Sequence, residues 1–375
     1  MYFYGVRIPF LSLTAQHQTI RAEMLAAMAR VYNSEWFVLG KEVEQFEEQY
    51  AAFSQVPHCV GVGNGLDALA LSLRALGIGP GDEVIVPANT YIATWLAVTQ
   101  VGATLVPVEP LTTTSNLDPA RLGGALTART RAVMPVHLYG QACEMEPIMA
   151  FARQHGLFVV EDNAQAQGAA YAGTPTGAFG HASATSFYPT KNLGALGDAG
   201  AITTADADVA QRLRALRNYG STQKNHHALV GFNSRLDELQ AAILRIKLPL
   251  LATWVQQRQQ VAALYNHYLA GTAGLRLPHT APGATHAYHL YVVHTPHRAA
   301  LQQYLAEQGI GTAVHYPVSP HLQPAYAGLG LPAGQFPVSE ELARTCLSLP
   351  LWPGMTEAQV ATVAGAVAGF ARQRA

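Results

Sequence analysis

Residues 157–169 read LFVVEDNAQAQGA. The first four are a continuous apolar run, and the run closes on two carboxylates, Glu161 and Asp162. A strand that is apolar on both faces is one buried between layers, as parallel strands are. The flanking sequence fits that reading. Upstream, 147–155 predicts a helix with proline near its start, and downstream 182–187 and 200–203 predict further strands. Further back, DEVIVPA, ATLVPVE and TRAVMPVHLYG predict strands, 94–100 a helix, and GVGNGLDALALSLRALGIG a glycine turn feeding a helix that stops at Gly77 or Gly79. Strands alternating with helices predict an α/β fold with a mostly parallel sheet. Ligands in such sheets lie beyond the carboxyl ends of the strands. Asn89, His137, Asp162 and Ser186 all fall there, so residues distant in sequence converge on one edge.

The ends of the chain read differently. Residues 13–33 and 42–53 predict amphipathic helices, the second with Val43, Phe46 and Tyr50 at helical spacing. A long helical segment spans 234–268, kinked at Pro249. After it come HAYHLYVV, a helix over 298–308, the loop VHYPVSPHLQPAY and a last helix over 356–372. The expected organisation is a large α/β domain over 1–250, with a helical N-terminal segment, and a smaller α+β domain over 251–375.

Composition excludes several classes. The chain has 375 residues, 49% hydrophobic and 13% charged, with a formal net charge of −1. That suits a heavily buried protein and gives no basic field for nucleic acid. No apolar run reaches the roughly 18 residues needed to span a bilayer. The N-terminus MYFYGVRIPFLSL lacks the parts of a signal peptide. Cys59, Cys143 and Cys346 are odd in number and far apart, which excludes a disulfide framework and a CxxC metal knuckle. A cytoplasmic enzyme is expected.

Three features carry chemistry. The Glu161–Asp162 pair reads either as a metal site lacking further ligands or as a carboxylate aimed at a heterocycle nitrogen. Glu161 alone reads as a helix cap or a solvated group. The turn GVGNGLDAL is Gly-x-Gly-x-Gly rather than a dinucleotide fingerprint. It is either a tight turn or a helix N-terminus offering the amides of Gly65, Leu66 and Asp67 to a phosphate. The third is Lys191, one of only four lysines, in SFYPTKNLGALGDAGAI (186–202). An apolar, turn-rich setting lowers the pKa of an amine towards nucleophilic use. Ser186, five residues earlier, can reach the same phosphate. A phosphate turn, a ring-nitrogen carboxylate and a lysine together are what a pyridoxal phosphate site requires.

The chain resembles the sugar aminotransferases of the DegT/DnrJ/EryC1/StrS family, of pyridoxal phosphate fold type I. The resemblance runs over nearly its whole length, through IPFLSL, VLGKEVEQFE, GNGLDAL, GDEVIVPANTYIAT, PVHLYGQ, EDNAQAQGA, SFYPTKNLGALGDAGAI, NYGS, GFNSRLDELQAAIL and YPVSPHLQPAY. GNGLDAL, PANTYIA and HLYGQ make it most similar to the enzymes that aminate C3 of nucleotide-linked 3-keto-6-deoxyhexoses such as dTDP sugars; a 4-keto substrate stays open. The resemblance implies that Lys191 carries the cofactor, Asp162 pairs with its ring nitrogen, Gln165 contacts the ring hydroxyl and Tyr91 stacks on the ring. Leu66 and Asp67 amides and the Ser186 hydroxyl would hold the phosphate. Asn233 would reach the cofactor of a neighbouring subunit, implying a homodimer. Locally, Asn233 also suits a helix N-cap, and Ser234 with Asp237 resembles a capping box. Part of the HAYHLYVVH run, including His286, together with His315, Tyr316 and His321, would line the sugar-nucleotide pocket. Read singly, each of these is an ordinary polar loop residue.

His286 and His289, three apart on a strand, face opposite sides, so no zinc is read there. The family often has His where Gln167 stands. Its dehydratase branch replaces the lysine by His, so Lys191 implies transamination; the resemblance further implies L-glutamate as donor and pyridoxamine phosphate between two half-reactions. Two rivals remain: a nicotinamide-dependent oxidoreductase resting on the glycine turn, and a non-catalytic binding or regulatory protein on the same fold.

Overall fold

The computed structural model describes residues 7–374; the part of the N-terminal reading that falls on 1–6 lies outside the described residues. The strands are β1 (His58–Val62), β2 (Glu83–Pro87), β3 (Thr104–Val108), β4 (Thr130–Val133), β5 (Phe158–Asp162), the short hairpin β6 (Ala170–Tyr171) and β7 (Thr174–Pro175), β8 (Ala182–Ser186) and β9 (Gly200–Thr204). Seven of them form one sheet in the order β1-β9-β8-β5-β4-β2-β3. Only β9 runs against its neighbours β1 and β8; the other pairings are parallel. The double-sided burial read from the apolar runs follows the period of two. Val84, Val86 and Val160 enter one core with Trp95, Leu69 and Leu73, while their neighbours Ile85 and Val159 enter the core on the opposite face with Met145 and Ile148. Each such buried side chain contributes about 1.5–3 kcal/mol relative to exposure.

Beyond the sheet, the hairpin β10 (Ser221–Gln223) and β11 (His226–His227) projects into solvent. The antiparallel pair β12 (Tyr291–His294) and β13 (Cys346–Leu349) is packed under the helices Leu251–Leu269, Arg298–Glu307 and Glu357–Arg372. Among the described residues no helix is long and apolar enough to cross a membrane.

Several elements differ from expectation. The segment 13–33 is two helices, Thr14–Thr19 and Arg21–Ser34, broken at Ile20 with φ −119° and ψ 16°. The segment 234–268 starts only at Glu238, passes through a 3-10 turn Leu248–Leu250 around Pro249, and resumes as Leu251–Leu269. The helix Ala207–Leu216, capped by Asp206, the helix Pro337–Thr345 and β13 were not read from the sequence.

Ser234 does not cap its own helix. Its hydroxyl donates to Asp67 Oδ2 at 2.6 Å and accepts from the Gly63 amide at 3.0 Å, tying the segment before this helix to the glycine turn. Glu238 in turn caps a different helix, accepting the amides of Gly40, Glu42 and Val43 at the start of Lys41–Phe53.

Candidate active site

The carboxyl ends of β5 and β8 lie side by side, with Asp162 opposite Ala184, and the chain beyond β4 joins them through the bridge Val136–Asp162. A cavity of about 520 Å³ opens at this edge. Asp162, Gln165, Ser186, Lys191, His315 and Tyr316 all line it, and the helix Gly65–Ala75 presents its N-terminus to it.

Lys191 is set by the turn that follows β8. Its amide donates to Tyr188 O at 2.9 Å, and Ala195 N closes the loop onto Phe187 O at 2.8 Å. The loop is this tight only because residue 194 is glycine: a Cβ there would sit 2.3 Å from Pro189 O. Among the described residues nothing is hydrogen bonded to Lys191 Nζ. Burial pushes the amine down to about 8, against a smaller upward pull from the Asp162 charge. Asp162 is buried, and burial raises its carboxyl above the usual range. Against that, Thr94 donates to Oδ2 at 2.8 Å and the Ala164 amide to Oδ1 at 3.2 Å, with Lys191 adding a favourable charge.

The glycine turn is tight and opens a helix. Asn64 caps the helix, and Gly65 and Leu66 reach the cavity. Gly65 lies so close to β8 that a Cβ would fall 2.7 Å from Ser186 Cβ. Asp67 departs from expectation: its amide donates to Asn64 Oδ1 at 2.9 Å, so that donor is already spent on the cap. Tyr91 stands half-exposed at the mouth, its ring centroid 5.0 Å from that of Tyr316. Gln165 accepts from the Tyr139 amide at 2.6 Å and donates to Tyr316 Oη at 3.0 Å.

Glu161 is neither a helix cap nor solvated. Neighbours on a strand point to opposite faces, so it turns away from Asp162 and is fully buried. It accepts the amides of Gly177, Phe179 and Gly180 at 2.8–2.9 Å and faces His137 Nε2 at 3.0 Å. His137 Nδ1 accepts from Cys143 N, so the proton sits on Nε2 and is donated to Glu161. The pair therefore fixes the 177–180 loop rather than a metal. Among the described residues no cluster of three or more His, Cys, Asp or Glu could hold one.

Two expected pocket residues lie elsewhere. His286 stacks flat on Tyr288, with centroids 3.9 Å apart, and lines a separate, smaller pocket beside Arg276 and His294. Its irregular run begins before β12 and turns it away from the cavity. His321 is buried against Glu340 at 3.1 Å. Asn233 is exposed and does not line its own chain's cavity. His315 does line it, with Nδ1 2.8 Å from Ser348 Oγ and its pKa lowered to about 4 by burial and by Lys191. Sequence reasoning missed His289, which lines the cavity with a buried Nδ1 that has no hydrogen-bond partner among the described residues and is held neutral chiefly by burial. It also missed Thr94, whose contact with Asp162 spans 68 residues. Thr94 lies in the first turn of the helix Ile92–Gln100 and His289 in the irregular run before β12, places that carry no local signal of a site.

A lysine and a buried carboxylate thus share a cavity at the carboxyl edge of this sheet, and comparison with known proteins places the fold among the type I aminotransferases. The chain belongs to the DegT/DnrJ/EryC1/StrS aminotransferase family, whose profile matches residues 18–368. It is 51% identical over 367 residues to the dTDP-3-amino-3,4,6-trideoxy-alpha-D-glucose transaminase of Streptomyces venezuelae, covering 98% of this chain and 97% of the relative. It superposes on the crystal structure of S. venezuelae DesV in complex with a ketimine intermediate with a TM-score of 0.96, at 51% identity, covering 98% and 99% of the two chains. It also matches NtdA of Bacillus subtilis with bound cofactor PMP, at TM-score 0.89 and 30% identity, covering 98% and 86%.

Proposed function

We propose that this chain is a pyridoxal phosphate-dependent aminotransferase that aminates C3 of a dTDP-linked 3-keto-6-deoxyhexose. L-glutamate is the amino donor, and the product enters deoxyamino sugar biosynthesis in the cytoplasm. The observation that carries the reading is Lys191, with no hydrogen bond to Nζ among the described residues, in one cavity with the buried carboxylate of Asp162. The residues fit the cofactor. The Gly65 and Leu66 amides and the Ser186 hydroxyl would hold its phosphate, Asp162 its ring nitrogen and Lys191 its aldehyde carbon, with Tyr91 and Gln165 beside the ring. When bound, pyridoxal phosphate supplies an electron sink for charge left at a substrate carbon. Lys191 Nζ, with a pKa near 8, is suited to take the proton from the donor Cα once it is free. His289 and His315, both held neutral by burial, present uncharged rings to the substrate.

The active form is a homodimer. Asn233 sits on an exposed segment with Tyr219, Leu229, Val230 and Phe232, an apolar group suited to burial against a second copy. Among the described residues Lys191 is the only Lys or Arg lining the cavity, so a doubly anionic substrate calls on groups from outside this chain's own wall. The division into a cofactor lobe over 1–250 and a smaller lobe over 251–375 is part of the same proposal.

The test is spectroscopic and kinetic. The loaded protein should show a visible band that L-glutamate bleaches and a dTDP-3-keto-6-deoxy sugar restores. Initial-rate lines at several donor concentrations should run parallel. Converging lines overturn the two-step cycle, and a strictly monomeric active protein overturns the role of Asn233.

A further inference from the structure

Asp162 is held by one side chain that none of the roles above uses. Thr94 is the third residue of the helix Ile92–Gln100 and is fully buried. Its Oγ1 lies 2.8 Å from Asp162 Oδ2 and 2.8 Å from Thr90 Oγ1, and Thr90 is buried as well. An ionised carboxylate can only accept, so the single hydroxyl proton of Thr94 goes to Asp162. Thr90 must then donate to Thr94, and the two threonines form a chain with one direction. The Ala164 amide takes a position on Oδ1. The charged or titratable groups around Asp162 are Lys191, His137, Tyr316 and Cys143. His137 donates to Glu161, Cys143 Sγ donates to Val136 O, and Tyr316 Oη accepts from Gln165; among the described residues Thr94 is the one side chain hydrogen bonded to Asp162.

We infer that Thr94 is a positioning residue for the reaction: its hydroxyl, aligned by Thr90, keeps Asp162 an ionised carboxylate, so that a proton shared with the cofactor ring stays on the ring nitrogen. This rests on the proposed cofactor. Burial alone favours the neutral acid, and a carboxyl that took the proton would leave a neutral ring with a weaker pull on electrons. Losing a hydrogen bond to a charged group moves such a proton partition by about ten- to a hundredfold.

The experiment loads the full chain with pyridoxal phosphate labelled with ¹⁵N in the ring and records the ring nitrogen resonance against pH. Wild type and Thr94→Ser, which keeps the hydroxyl, are expected at the protonated position. Thr94→Val, which keeps the shape, is expected to move about ten- to a hundredfold in partition towards the neutral ring. If Thr94→Val binds the cofactor with the ring as protonated as in wild type, the inference is overturned and the proposed function stands. If wild type shows a neutral ring or binds no cofactor, the role of Asp162 in the proposed function fails instead. Should Thr94→Val not accumulate as folded protein, Thr94→Cys carries the same test. Its thiol is a weaker donor, so a smaller shift in the same direction supports the inference, and none overturns it.

Discussion

Replacing Gly65 by alanine should damage the site out of proportion to the one methyl added. A Cβ at this position would stand 2.7 Å from Ser186 Cβ, 3.2 Å from Ser186 Cα and 3.3 Å from Ser186 Oγ. The nearest atoms belong to the end of β8, which cannot swing aside like the tip of a long side chain. Behind the turn, Gly200 blocks retreat, because it already packs so closely on Asn64 that a Cβ there would lie 2.5 Å from Asn64 O. Overpacking of this kind costs about 1–3 kcal/mol. With an unfolding entropy of about 2.1 cal/mol/K per residue, a chain of this length loses only about 1–4 °C in Tm. The binding effect is larger. Moving the helix start misaligns the Gly65 and Leu66 amides, and each hydrogen bond to a charged group is worth about 1.5–3 kcal/mol. Affinity for pyridoxal phosphate should fall by about ten- to a hundredfold, measured by equilibrium dialysis. Gly123→Ala is the control, since a Cβ there meets nothing within 4 Å. If Gly65→Ala matches that control in both Tm and affinity, the close approach of turn and strand does not shape the anion site.

Glu161→Ala should be among the most destabilising single changes in the sheet. It strands three backbone amides and the His137 Nε2–H, a loss on the order of 4 kcal/mol or more in a denaturant titration, with Glu161→Gln intermediate. Ser234→Ala removes both bonds between the glycine turn and the segment leading into the helix Glu238–Lys247, and should lower stability by about 1–3 kcal/mol while weakening cofactor binding. Reaction of the cofactor-free protein with pyridoxal phosphate should follow the Lys191 amine. The ammonium form does not attack, so the rate should climb as pH rises through about 8 and level off above it; a climb centred near the ordinary lysine value would show that the cavity does not desolvate this amine.

What could be read from the sequence is what is local to a strand end. LFVVED closes on Asp162 and the following turn carries Gln165. Ser186 and Lys191 are five residues apart, so one β-strand and one turn set both. The helix Gly65–Ala75 was equally plain from its glycines. Long-range pairings stayed hidden. Asp67 was expected to offer an amide, but that amide caps its own helix while its carboxylate accepts from Ser234, 167 residues away. The same holds for β13, an edge partner for β12 whose short run CLSL has no periodicity to announce it. His286 and His289 illustrate the limit at the site itself. The run HAYHLYVVH becomes a strand only from Tyr291, so strand alternation gave no guide to which histidine would enter the cavity.

The most direct measurement follows from the four lysines of the chain, Lys41, Lys191, Lys224 and Lys247. The full chain is incubated with pyridoxal phosphate, reduced with borohydride, digested and mapped by mass spectrometry. Lys247 is the internal comparison, because it too is buried with its amine lowered to about 8, yet its Nζ is bonded to Gly194 O and His17. The cofactor should be found on Lys191 alone, and lost in Lys191→Ala. Label on Lys247 instead, or spread over the exposed lysines with Lys191 unmodified, would contradict the assignment of this cavity as a pyridoxal phosphate site.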